Sequence, residues 1–266
     1  MKVRYYLLAA TGIALAALLV HQQGFAKSSH GGKGGTGIFH FMVRSTMTSS
    51  GFDADAAGAV QAKRNQQGNA DNQRLQLQAL NLDANATYKL LAQVGTDTNL
   101  VEVADLTTDE NGVLDLKYVK KNNGNASPGG DPLPDVLNPI SNIRALEVSI
   151  GGTQAVLSAD FTAPQKLQYL IKRTLTNDGV ELDAAADLRI KATQSAVQFR
   201  VRASGLTPTN MYSLALNGVI LADYTSGTDG HLDINALPAG APDVLDITDL
   251  AIVNATTNSV LSTTLP

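Results

Sequence analysis

The chain has 266 residues, with 20 Lys and Arg against 24 Asp and Glu, and it contains neither Cys nor Trp. The lack of Cys excludes a disulfide scaffold, a Cys-ligated zinc or iron–sulfur site and a cysteine nucleophile. The formal net charge is -4, and no cluster of Lys and Arg is longer than pairs such as Lys120-Lys121 and Lys172-Arg173. Because phosphate contacts need a basic patch, we expect no nucleic-acid partner.

The N-terminus predicts a secretory signal peptide over residues 1–26. Lys2 and Arg4 precede an apolar run of 16 residues, 5–20, which a polar stretch and Gly24-Phe25-Ala26 follow. This order is typical of signal peptides, and the run is shorter than the roughly 20 residues that a helix needs to cross a bilayer. We expect cleavage after Ala26, export to the periplasm, cell surface or medium, and no membrane span afterwards. An N-terminal anchor that is retained is the alternative.

A Gly-rich flexible leader is predicted over residues 27–38, and an internal duplication divides the rest into two copies, 39–163 and 167–266. Residues 40–63 align without a gap on residues 168–191 at an offset of 128, and later blocks repeat at offsets of 124, 118 and 104. The offset changes only in polar or Gly-rich stretches, where surface loops tolerate insertions. The joint at 163–165 contains a proline, which predicts a semi-rigid connection.

Each copy is predicted to consist of β-strands. Residues 75–79 and 197–203 alternate between apolar and polar side chains, as a strand with one buried face does. Turn sequences such as Asn217-Gly218 indicate tight hairpins between the apolar runs. Further strands are predicted over residues 41–47, 88–94, 114–119, 146–150, 155–161, 169–175, 212–216, 219–224, 232–234, 250–253 and 260–265. We therefore expect an all-β fold of two tandem antiparallel Greek-key (Ig-like) β-sandwich domains.

The segment from Leu206 to Tyr212 resembles the tyrosine-corner region of fibronectin type III and related Greek-key sandwiches. Leu82 and Tyr88 repeat its spacing in the first copy. In those folds the Tyr hydroxyl hydrogen-bonds to the backbone of an arch between the sheets, so the resemblance implies this structural role for Tyr88 and Tyr212. The whole repeat is also similar to duplicated Ig-like domains of uncharacterised exported bacterial proteins, a likeness that implies export but no activity.

No pattern of residues indicates a catalytic site. Beyond the predicted signal peptide the histidines are His30, His40 and His231, and no two of them have the spacing of a metal site. The sequence has no Gly-x-Ser-x-Gly elbow that would expose a nucleophilic serine. We therefore predict no catalytic residue, no cofactor and no metal ligand.

Acidic residues in predicted loops leave two alternatives open. Two carboxylates in a cleft between the domains would suit a secreted hydrolase, and the loops at 53–55 and 107–112 offer oxygen ligands for a calcium-stabilised stalk. A structural role, in which Asp side chains cap turns, is the simpler interpretation. The candidate carboxylates are Asp53, Asp55, Asp109, Glu110, Asp183, Asp243, Asp246 and Asp249.

The favoured prediction is an exported, non-catalytic protein that acts in surface or extracellular binding, adhesion or matrix assembly. Its partner would be another protein or a surface polymer, contacted through exposed sheet edges and loop tips. The first strand, 38–48, is also a candidate for pairing with another subunit, although residues 167–176 supply the same strand in the second copy. The sequence leaves the ligand and the oligomeric state open.

Overall fold

The computed structural model describes residues 37–120 and 129–266, whose regular structure is β-strand apart from two 3₁₀ turns. The prediction of an all-β protein is confirmed. The predicted signal peptide, residues 27–36 of the predicted leader, His30 and the polar stretch 121–128 lie outside the described residues. Within the described ranges, no helix has the length and apolar character needed to cross a membrane.

The strands fall into two groups, one for each half of the chain. The first half contains β1 (Ile38–Ser49), β2 (Ala57–Gln67), β3 (Ala70–Leu80), β4 (Thr87–Val94), β5 (Val101–Thr107), β6 (Leu114–Lys120), β7 (Asp131–Pro132), the 3₁₀ turns Asp135–Leu137 and Ile140–Asn142, β8 (Ile143–Ile150) and β9 (Gln154–Asp160). The second half contains β10 (Lys166–Thr174), β11 (Thr176–Asn177), β12 (Ala185–Thr193), β13 (Ala196–Ser204), β14 (Met211–Leu216), β15 (Val219–Thr225), β16 (Leu232–Ile234), β17 (Asp249–Asn254) and β18 (Ser259–Thr264).

Both halves pair their strands in the same order and form two layers each. In the first half, one layer has the order β1-β2-β3-β6 and the other has the order β5-β4-β8-β9. In the second half, the corresponding orders are β10-β12-β13-β16 and β15-β14-β17-β18. The end of β1 pairs with β9, just as β11 pairs with β18. One side of the two layers is therefore closed by the end of the first strand in the first half, and by the short strand that follows β10 in the second half.

Strands β1 and β10 pair with each other and join the two halves. Their antiparallel register sets Phe41 opposite Tyr169, and these two residues occupy equivalent positions under the sequence offset of 128. A local twofold axis therefore passes between them, as at the self-complementary interface of a dimer. The result is one continuous sheet with the order β16-β13-β12-β10-β1-β2-β3-β6-β7. This continuity was not predicted: strand 38–48 was expected to lie within its own copy or to pair with another subunit.

The inner side of the continuous sheet carries a core that both halves share. Along β1 and β10 the buried residues alternate with more exposed ones, and Phe39 packs edge-to-face on Tyr169 at 5.6 Å between ring centroids. One cluster of buried apolar side chains extends through the layers of both halves, and an ion pair between Arg144 and Asp246 also crosses between them. Pairing β1 with β10 covers two strands that would otherwise be open edges.

Candidate functional site

The two predicted tyrosine corners have structural roles. The Tyr88 hydroxyl accepts a hydrogen bond from the Asp83 N–H at 3.0 Å, and the Tyr212 hydroxyl accepts one from the Thr207 N–H at 3.0 Å. The Tyr212 hydroxyl also donates to Glu181 Oε1 at 2.6 Å. Burial raises the pKa of both phenols. The predicted bond from the phenol to the arch backbone is therefore present in both halves.

The acidic candidates of the first half occupy turns. The Asp109 carboxylate accepts hydrogen bonds from the backbone N–H groups of Asn111 and Val113, at 2.9 and 2.8 Å, and the bond from Val113 is the main reason that the pKa of Asp109 is below its ordinary value. A hydrogen bond with Asp55 raises the pKa of Asp53. Glu110 is exposed in the same turn as Asp109.

The acidic candidates of the second half also serve local structure. Asp243 accepts a hydrogen bond from the Leu245 N–H at 2.9 Å, and Asp249 accepts one from the Gly218 N–H at 3.1 Å. Asp246 forms the ion pair with Arg144. The backbone oxygen of Asp183 lies against Gly205, at 2.1 Å from the position that a Cβ would take there.

The described residues contain no group of three or more carboxylate or imidazole side chains arranged to hold a metal ion. His40 is half-buried on β1, and His231 is exposed and lies 3.3 Å from the Asp229 carboxylate. The structure therefore does not bring either histidine together with the candidate acids.

The outer face of the continuous sheet, which points away from the shared core, gathers most of the basic side chains. Of the 15 Lys and Arg residues in the described ranges, ten alternate with buried residues and lie on this face, together with three of the 24 acidic residues. The cations are Arg44, Lys63, Arg74, Lys117, Lys166, Lys172, Arg189, Lys191, Arg200 and Arg202; the acids are Asp115, Asp187 and Asp233. A chain of net negative charge thus presents one strongly basic surface.

Several of these cations lie directly opposite one another on neighbouring strands. Lys172 pairs with Arg189 between β10 and β12, and Arg189 pairs with Arg200 between β12 and β13. The same arrangement joins Arg44 to Lys166 and Lys63 to Arg74. Side chains at opposed positions have Cβ atoms about 5 Å apart, and like charges there destabilise a sheet. Natural sequences retain such local conflicts mainly at functional sites.

Few of the basic side chains on this face are neutralised by the protein itself. In the described part of the chain, only Arg200 and Arg202 of the ten form an ion pair, and both do so with Asp233, at 3.8 and 3.2 Å. The Arg200 Nε atom is buried without a hydrogen-bond partner. The positive charge of the outer face is therefore available to an anionic ligand.

Between the cations, the outer face carries amide side chains and the imidazole of His40, and the described strands place no Phe or Tyr ring on it. Gln61, Gln76, Gln78, Gln168 and Gln198 occupy positions of the same parity as the cations. The aromatic residues of these strands occupy the opposite parity and are buried. Amides donate and accept hydrogen bonds, which suits a ligand rich in hydroxyl groups.

A depression of about 420 Å³ lies on this sheet in the second half, where β1 begins beside β10. Five cations and one carboxylate line it: Lys172, Arg173, Arg189, Arg200, Arg202 and Asp187. Arg173 is half-buried, and burial together with the charge of Arg64 lowers its pKa. Beside it lies a second depression of about 380 Å³, which Asp187 and Arg202 share with His231 and Asp233.

Sequence reasoning missed this face because no two of its cations are adjacent in the chain. The signal was the alternation Arg189-x-Lys191 and Arg200-x-Arg202, in which the intervening residues are apolar. Comparison of the chain with protein-family models and with curated proteins finds no match to either. The candidate site thus stands on the geometry of the outer face alone.

Proposed function

We propose that this protein is an exported, non-catalytic binding protein that holds an acidic surface polysaccharide on the outer face of its continuous sheet. In this proposal the signal peptide 1–26 is removed, and the copies 39–163 and 167–266 are related Ig-like sandwiches that serve as a scaffold. The observation that carries the proposal is the concentration of ten cations and three carboxylates on one sheet face of an acidic chain.

The chemistry of the outer face favours a charged polysaccharide over a nucleic acid. Sequence-tolerant binding of single strands relies on several aromatic side chains that stack on bases, and the described strands expose no Phe or Tyr ring on this face. Reading of duplex DNA commonly uses an element that enters the major groove, which a broad sheet does not supply. A polysaccharide offers spaced anionic groups for the cations and hydroxyl groups for Gln61, Gln76 and Gln78.

The unpaired cations also explain how binding would gain free energy. Repulsion between opposed pairs such as Lys63 and Arg74 is present in the free protein and is relieved when an anion lies between them. Counterions released from the polymer add a favourable term that weakens as salt rises. The affinity is therefore expected to fall steeply with ionic strength.

Immobilised dextran sulfate, compared with unmodified dextran on a biosensor surface, tests the proposal. We expect binding to the sulfated polymer alone. The double variant Lys63→Gln/Arg74→Gln should bind about tenfold more weakly and lower the slope of log affinity against log salt by about two, one for each cation removed.

Lys89→Gln is the matched control, because Lys89 lies on β4 of the other layer and pairs with Glu102 and Asp105. Its affinity should equal that of the wild-type protein. Equal binding to dextran and dextran sulfate, or an equal loss in Lys89→Gln and the double variant, would overturn the proposal. If duplex DNA bound more tightly than dextran sulfate at the same concentration of anionic groups, the proposed ligand would be a nucleic acid instead of a polysaccharide.

A further inference from the structure

We infer that the 420 Å³ depression of the second half is a discrete subsite for one tetrahedral oxyanion, the sulfate or phosphate ester group of a polymer. The inference deepens the proposed function and rests on it for the polymer, whereas the subsite itself can be tested with small ions. It identifies both the place on the outer face where one specific contact is made and the chemical group of the polymer that makes it.

The subsite is formed by cations from three adjacent strands. Lys172 on β10, Arg189 on β12 and Arg200 on β13 stand in one row across the sheet, and Arg202 follows Arg200 at the next outward position of β13. All four line the depression. Neighbouring strands lie about 4.8 Å apart, so these long side chains can reach a common point from different directions.

Convergence from several directions favours a tetrahedral group over a carboxylate. One arginine satisfies both oxygens of a carboxylate through two parallel hydrogen bonds. A sulfate or phosphate ester has three terminal oxygens that point apart, and it needs donors from more than one side. Lys172, Arg189 and Arg200 approach from three strands and supply such donors.

The carboxylates near the subsite do not neutralise it. Asp187 accepts a hydrogen bond from the Thr174 hydroxyl at 2.9 Å, and Asp233 lies 3.8 Å from the nearer nitrogen of Arg200. Arg189 and Lys172 form no ion pair within the described ranges of the chain. Asp233 lies closer to Arg202, at 3.2 Å, and therefore mainly neutralises that side chain. The depression keeps a net positive charge.

The first half of the chain supplies an internal control for this subsite. Arg189, Arg200 and Arg202 correspond to Gln61, Gln76 and Gln78, which pair in the same register on β2 and β3. A substitution of these arginines by glutamine therefore installs residues that the same strand pairing already holds elsewhere. The difference also means that only the second half concentrates charge in this way, among the residues that the structure describes.

The experiment is a titration of the purified protein with sodium sulfate and with sodium phosphate at constant ionic strength, followed by NMR of the arginine Nε–H signals. Sodium acetate is the carboxylate control. We expect saturable shifts of the Arg189, Arg200 and Arg202 signals with sulfate and phosphate, and none with acetate. Arg189→Gln/Arg200→Gln should weaken sulfate binding at least tenfold, whereas Lys89→Gln, on the other layer, should change it less than twofold.

The outcomes separate the subsite from the proposed function. If sulfate and phosphate cause no saturable shift while dextran sulfate still binds, the subsite is overturned and the proposed function stands. If the small ions bind but the polymer does not, the subsite stands and the proposed function fails. Equal shifts with acetate, or equal losses in Lys89→Gln and the double variant, would also overturn the assignment to a tetrahedral group.

Discussion

Replacing Arg189 by glutamine should make the protein more stable, which is the reverse of the usual effect of a substitution in a sheet. Arg189 lies between two opposed cations, Lys172 and Arg200, and its own strand offers Asp187 at the preceding outward position. Glutamine occupies the equivalent position 61 in the first half, so a strand in the same pairing already accommodates this residue. The substitution removes repulsion and leaves the pairing intact.

The magnitude follows from Coulomb's law. Two unit charges about 6 Å apart in water repel each other by ~0.7 kcal/mol, so the two neighbours of Arg189 together contribute ~1.4 kcal/mol. Attraction to Asp187 offsets about half of this sum, which leaves a gain of ~0.7 kcal/mol at low salt. At physiological ionic strength, with a Debye length of about 8 Å, screening reduces the gain by roughly half.

Urea unfolding and thermal unfolding, each at low and at high salt, measure this effect on the free energy of unfolding and on the melting temperature. The gain should raise the melting temperature by about 2 °C at low salt, since 1 kcal/mol corresponds to about 2–4 °C for a domain of this size. The reverse variant, Gln61→Arg, places a cation opposite Arg44 and should lower the stability. Destabilisation by Arg189→Gln, or a gain that does not shrink with salt, would refute the argument that the outer face is electrostatically strained.

Three further predictions concern turns and arches. Tyr212→Phe removes a hydroxyl that makes two hydrogen bonds, and Tyr88→Phe removes one that makes a single hydrogen bond. Urea unfolding should therefore show that Tyr212→Phe lowers the free energy of unfolding by about 1–3 kcal/mol and Tyr88→Phe by less. The opposite order would contradict these roles. Gly112→Ala places a methyl group 1.9 Å from the backbone oxygen of Leu82, whereas the Cβ of Gly51→Ala would have no atom of the surrounding structure within 4 Å. Thermal melts should therefore show a larger drop in melting temperature for Gly112→Ala, and equal drops would contradict this prediction. The folded-state pKa of Asp109 is lowered from 3.8 by the hydrogen bond from the Val113 N–H, so its stabilisation is present above 3.8 and is lost as the pH falls through the folded-state pKa. The melting temperature of Asp109→Asn should lie below that of the wild type at pH 7, and the gap should narrow as the pH falls below 3.8; a gap that widens with acid would contradict the prediction.

The sequence predicted the strands whose buried residues are large and alternate. It did not predict β2, where the inward positions include Gly58, Val60 and Ala62, and it did not predict β5, an edge strand on which only Leu106 is buried. Strand β12 was not predicted either, although its inward positions Ala186, Leu188, Ile190 and Ala192 alternate with exposed ones, and two of these four are alanines. Periodicity reports burial, so strands with small or exposed side chains give a weak signal.

Pairing between the halves was beyond the reach of sequence patterns. The alternation along β1 and β10 shows which side chains are buried but not which strand lies beside them, because register depends on contacts that are distant in the chain. The outer face was missed for the same reason. Arg200 and Arg202 become neighbours of Arg189 only once β12 and β13 are paired, and the net charge of -4 conceals a surface that is basic on one side.

Protection of lysines from acetylation tests most directly whether the ligand lies on the outer face. The purified protein would be labelled with an amine-reactive acetyl ester, with and without bound dextran sulfate, and each site would be quantified by mass spectrometry. We expect the polymer to protect the outer-face lysines, while Lys89, on the other layer, reacts equally in both samples. The lysines expected to be protected are Lys63, Lys117, Lys166, Lys172 and Lys191. Protection of Lys89 with continued labelling of these five would contradict the account.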